Sequence, residues 1–101
     1  MRTFKPYGNC SFFAIQASDC TKLECSIVQS VVCNQYMDSD DYKLRTACGA
    51  FLQGISPAGN GRANGWILVE FITQDKAAVD AFVEHLNKRI NNPTPIDHID
   101  Y

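Results

Sequence analysis

Residues 66–72 form the most informative hydrophobic stretch of the chain: apart from Glu70, they are apolar on both faces of a strand. Side chains alternate along a strand, so Ile67, Val69 and Phe71 point one way and Trp66, Leu68 and Ile72 the other. A strand with one face on a core and one in water alternates apolar with polar. A row that is apolar on both sides needs a second cover. Residues 11–17 predict an earlier strand, with Phe13, Ile15 and Ala17 on one face and Phe12, Ala14 and Gln16 on the other.

Two stretches carry the helical period. Leu23, Ile27, Val28, Val31 and Val32 form a stripe that predicts a helix over 22–36. Thr21 and Glu24 before it match a capping box, although the β-branched residues oppose the helix through lost χ1 freedom. Val79, Phe82, Val83, Leu86 and Ile90 form a cleaner stripe. Thr73 is placed to cap this second helix, Lys88 and Arg89 suit its C-terminal dipole, and Asn91-Asn92-Pro93 stops it. Residues 37–41 read as a polar break.

Residues 43–53 fit two patterns. Leu44, Ala47, Cys48, Phe51, Leu52 and Ile55 have helical spacing, with Gly54 as a stop. Leu44, Thr46, Cys48, Ala50 and Leu52 alternate. We read a strand, because the turn-rich segment 56–65 directly precedes strand 66–72 and a long hairpin explains both. Residues 94–99, with Pro95 tolerated at an edge, predict a last short strand.

The resulting order is β-α-β-β-α-β. It predicts an α+β, ferredoxin-like fold: a four-stranded antiparallel sheet with two helices on one face. The length of 101 residues fits one domain, 1–101. The helices cover Ile67, Val69 and Phe71. The other face of the sheet then shows Trp66, Leu68, Glu70 and Ile72 beside Phe12 and Gln16. An apolar face of this extent on a small protein marks a contact surface, unless the N-terminal arm (Phe4, Pro6, Tyr7) or the tail (Ile96, Ile99, Tyr101) folds over it.

Composition narrows the reading. A formal net charge of −2 disfavours a chain built to neutralise phosphates. Asp38, Asp40 and Asp41 are the dense acidic cluster and read as a solvated loop. No apolar run is long enough for a membrane helix or a signal-peptide core, so the expectation is a cytoplasmic protein without membrane contact. The cysteines, Cys10, Cys20, Cys25, Cys33 and Cys48, are odd in number and contain no C-x-x-C pair. Reduced, mostly buried thiols and no metal site follow.

Residues 64–71, Asn64-Gly65-Trp66-Ile67-Leu68-Val69-Glu70-Phe71, resemble the RNP1 strand of RNA-recognition motifs at Gly65, Trp66, Val69 and Phe71. In that family, aromatics on the open sheet stack on bases. Asn64 stands where the family has a basic residue, Leu68 where it has a stacking aromatic, and Ile67 where a small residue is usual. The resemblance implies an RNA-binding alternative, with Phe12 as the partner aromatic.

Catalytic chemistry has thin support. Glu70, His85, His98 and the cysteines are the candidate groups of a dimeric α+β-barrel enzyme, a reading that rests on fold analogy. His85 reads as a helix-surface histidine, and Glu70 as a solvated carboxylate or a partner of Arg45 or Arg62. The glycine-rich segment 59–65 lacks the G-K-[ST] ending of a phosphate loop and precedes a strand. Arg62 within it reads as a contact anchor. We assign no catalytic residue, cofactor or metal. The expected function is a non-enzymatic accessory protein, regulatory or inhibitory. It binds a protein partner, a second copy included, through Phe12, Arg62, Trp66, Leu68, Glu70 and Ile72.

Overall fold

The computed structural model describes residues 3–9, 12–33, 39–56 and 65–92; the side chains of Asn9 and Phe12 lie outside that description. The described residues form four strands and three helices: β1 (Tyr7–Asn9), β2 (Phe12–Ser18), α1 (Lys22–Cys33), α2 (Ser39–Cys48), β3 (Ala50–Ser56), β4 (Trp66–Phe71) and α3 (Lys76–Asn91). All strand pairs are antiparallel, in the order β1-β2-β4-β3.

The α+β architecture and the four-stranded antiparallel sheet match the expectation. The element order does not. A ferredoxin-like βαββαβ chain has two helices, and here α2 is a third. The edge beside β2 is held by β1, from the N-terminal arm. The edge strand expected over 94–99 lies outside the described residues.

The strand expected over 43–53 is half helix. Asp41, Leu44 and Cys48 recur at helical spacing, with Asp41 and Cys48 buried and Leu44 packed against the core. Helix α2 ends at Cys48, and Gly49 follows with a φ of +61°, a left-handed conformation that glycine adopts without penalty. A Cβ at Gly49 would also come within 3.0 Å of Ile72 Cβ. Strand β3 then starts at Ala50. The alternation seen from Leu44 to Cys48 is a coincidence within a helix, and Gly54 is a strand residue.

Of the two expected helix starts, the first formed as read and the second is shifted. Thr21 N–H donates to Glu24 Oε1 at 2.8 Å, and Glu24 N–H donates to Thr21 Oγ1 at 3.1 Å. This is the reciprocal capping box at the start of α1. The cap of α3 is not Thr73, as expected, but Asp75, which accepts from Ala77 N–H at 3.0 Å; Thr73, two residues upstream, accepts from Asp75 N–H instead. Helix α3 starts at Lys76, so Asp75 stands at the cap position and its carboxylate accepts from an open N–H of the first turn.

Phe13, Ile15, Ile67, Val69 and Phe71 on one sheet face join a single core with the stripes of α1 and α3. Phe71 meets Phe82 edge to face, with ring centroids 5.6 Å apart. Burying Phe82 or Leu86 stabilises the fold by about 1.5–3 kcal/mol each. The N-terminal arm runs to this helical side. Phe4 is buried in the core; its N–H donates to Asn87 Oδ1 at 2.8 Å, and its carbonyl accepts from Asn87 Nδ2 at 3.1 Å. The arm therefore does not cover the opposite sheet face, and only the Tyr7 edge reaches it. No helix among the described residues is long and apolar enough to cross a membrane.

Candidate functional site

Register places the open face. Trp66 lies opposite Ser18 on β2 and Ser56 on β3; Leu68 lies opposite Gln16 and Gly54; Glu70 lies opposite Ala14 and Phe51; and Tyr7 faces Ala14 from the edge. Directly opposed residues share a face. Large apolar side chains remain exposed along it: Tyr7 at 46%, Phe51 at 37% and Trp66 at 45%. Leu68 and Glu70 are partly buried. Ile72 sits one residue past β4, where its N–H donates to Gly49 O at 3.3 Å and its side chain lies across Gly49, mostly exposed.

The structure thus brings together Trp66, Leu68 and Glu70, with Ile72 at one end of the row. Phe12 is in β2 opposite Asn9, but its side chain lies outside the described set. Arg62 and His98 lie outside it too. Phe51 and Tyr7 were missed as face residues. Phe51 became visible only once β3 was known to start at Ala50, which fixes its parity with Glu70. Tyr7 sits in an arm that the sequence pattern marks as irregular.

The indole of Trp66 has a seat. Strand β3 carries a bulge between Leu52 and Gly54, which sets Gly54 opposite Leu68 and diagonal to Trp66. A Cβ on Gly54 would lie 2.6 Å from Trp66 Cη2 and 2.7 Å from Cζ3. The ring therefore rests on the bare backbone of Gly54, the kind of aromatic cover that strand glycines receive. A shallow groove of about 460 Å³ runs beside it, lined by Tyr7, Gln16, Ala17, Ser18 and Trp66. Tyr7 O–H donates to Gln16 Oε1 at 3.5 Å across this groove. In Gly54→Ala, the indole must swing away at its far end while the strand stays paired. We expect a stability change within about 1 kcal/mol and a shifted emission maximum from Trp66, the chain's single tryptophan. An unchanged spectrum would contradict the seat.

Electrostatics on this face are sparse. Glu70 is its charged side chain among the described residues. The described lysines and arginines lie on the helices and the N-terminal arm. Arg45, one expected partner of Glu70, instead donates to Val32 O at 2.9 Å, and its guanidinium lies 5.7 Å from the Tyr42 ring centroid.

A second cluster corrects two expectations. Asp41 is not a loop carboxylate in water but is fully buried in the first turn of α2. His85 is not surface decoration: its Nε2 meets Asp41 Oδ1, and Arg89 Nε lies 3.4 Å from the same oxygen. His85 and Arg89 are one turn apart on α3, so the cluster clasps α2 to α3. The spacing of Asp41 to Cys48 on one helix and His85 to Arg89 on the other was the available signal. Burial pushes the Cys48 thiol up to about 11, against backbone hydrogen bonds that lower it less. Burial also raises Cys33, with Arg45 opposing the shift. Both lose thiolate at neutral pH. Among the described residues no group of three or more His, Cys, Asp or Glu side chains is placed to hold a metal.

No family model matches the chain, no curated protein matches it, and no solved structure matches it.

Proposed function

We propose that the chain is a non-enzymatic binding protein, an accessory or regulatory partner of another protein in the cytoplasm, that docks through the open face of its sheet. The observation that carries this reading is the exposure of Trp66, Phe51 and Tyr7 on one sheet face, with the N-terminal arm committed to the other side. Aromatic residues dominate interface energetics because they bury much area with few rotamers to freeze. Trp66 held on Gly54 is ordered before binding, which reduces the entropy lost on association.

In the finer fold reading, β2-β4-β3 with α1 and α3 is a variant of the ferredoxin-like plan. Strand β1 takes the edge that a C-terminal strand would hold, and α2 is inserted before β3. The RNA-binding alternative loses support, because the described face offers stacking rings and a carboxylate but no cation for a phosphate chain.

The test is affinity capture with the wild-type chain and Trp66→Asp as paired baits, followed by titration with the purified captured protein. The expected result is one protein bound in stoichiometric amount by the wild type and lost by a folded Trp66→Asp. Identical capture by both baits would contradict the reading. Light scattering across concentration tells whether the bound protein is a second copy.

A further inference from the structure

We propose that the segment docking on the open face presents an arginine or lysine between apolar side chains, received by the Glu70 carboxylate and the Phe51 ring. This rests on the reading of that face as a protein-binding surface. It goes further in naming the chemistry of the partner.

Glu70 and Phe51 are directly opposite in the β3–β4 register. Side chains so placed have Cβ atoms about 4.5–5.5 Å apart, so carboxylate and ring stand side by side. Leu68 and Ile72 flank Glu70 along its own chain, and Ala14 lies opposite on β2. The surroundings are thus apolar on each side.

The described cations sit away from this face: Lys5 on the N-terminal arm, Lys22 on α1, Lys43 and Arg45 on α2, and Lys76, Lys88 and Arg89 on α3. Arg45 donates to Val32 O near the C-terminus of α1, and Arg89 stands at Asp41. Lys76 and Lys88 pair with Asp80 and Glu84 along α3. An apolar partner laid over this row would strip water from Glu70 without replacing it, which opposes binding. A partner cation removes that penalty. Its charged head meets Glu70, its methylene stem lies over Leu68, and the Phe51 ring attracts the same charge. A second copy docked face to face would bring a like charge toward Glu70, and an anionic chain would do the same.

The probes are three nine-residue peptides, identical except for a central arginine, glutamine or glutamate flanked by leucine and phenylalanine. Each is titrated while Trp66 emission is recorded. We expect the arginine peptide to bind about tenfold more tightly than the glutamine peptide, with the glutamate peptide weakest. Glu70→Gln should remove the arginine preference and leave affinity for the glutamine peptide in place. Salt added to the wild type should narrow the same gap, without recourse to any variant. Equal affinities for all three peptides, lost together in Trp66→Asp when heat of binding is measured by calorimetry, would overturn the charge selection and leave the docking reading standing. No emission change with any peptide at millimolar concentration would overturn the proposed partner chemistry, and the capture experiment then judges the docking reading alone.

Discussion

Asp41→Ala is expected to cost about 3–5 kcal/mol of stability, the range found when one partner is taken from a buried ionic cluster. Asp41 is fully buried between α2 and α3, where His85 Nε2 and Arg89 Nε converge on its Oδ1. Removing the carboxylate leaves a mostly buried guanidinium and imidazole facing a methyl group. It also takes a negative charge from the first turn of α2, where the helix dipole favours one, for a further 0.3–1 kcal/mol or so. Domains of this size are stable by roughly 5–15 kcal/mol in total, so about a fifth or more of the stability is at stake. The melting temperature should fall by at least about 12 °C. Asp40→Ala is the control. Asp40 is the exposed neighbour of Asp41 on the same turn, and its loss carries only the helix-dipole share and should stay within about 1 kcal/mol. Thermal melts followed by circular dichroism give both values. A melting temperature for Asp41→Ala within about 3 °C of wild type would show that the cluster does not hold α2 in place.

Trp66→Asp should divide stability from binding. The indole is 45% exposed in the unbound chain, and its remaining contacts are to the backbone of Gly54 and the groove. Losing them costs about 1 kcal/mol, a fall of about 4–8 °C in melting temperature. Binding is a different matter. A tryptophan side chain has roughly 150–250 Å² to bury, and nearly half of it is still available here. Covering about 100 Å² stabilises a complex by about 2.5 kcal/mol, a factor of about 70 in affinity. The new carboxylate must then be desolvated beside Glu70's row, which pushes the loss past about 100-fold. Titration of the purified partner measures the affinity, and a melt of the same sample measures the fold. A variant that unfolds instead would mean that Trp66 belongs to the core.

Much of this could be read from the chain before its structure. The stripes Ile27–Val32 and Val79–Ile90 and the alternation of Ile67, Val69 and Phe71 are strong because burial imposes a period on them. The two faces of β4 followed from parity alone. The capping box at Thr21 and Glu24 is local chemistry, and it formed as written. What failed was long-range or ambiguous. Residues 43–53 satisfy both periods because Thr46 and Ala47 tolerate either face. Gly49, which ends α2, was overlooked beside the more conspicuous Gly54. Asp41 looked solvated because a run of acidic residues signals water, and its partners lie on α3, 44 residues away at His85. Short strand β1 has no period of its own and is defined by its pairing with β2. The seat of Trp66 on Gly54 depends on a bulge that no spacing rule announces.

Acrylamide quenching of Trp66, with and without the purified partner, addresses the docking face most directly, because the chain holds one tryptophan. The account predicts a readily quenched indole in the unbound chain and a strongly protected one in the complex. An indole already shielded in the unbound chain, or one quenched equally in both states, would contradict it.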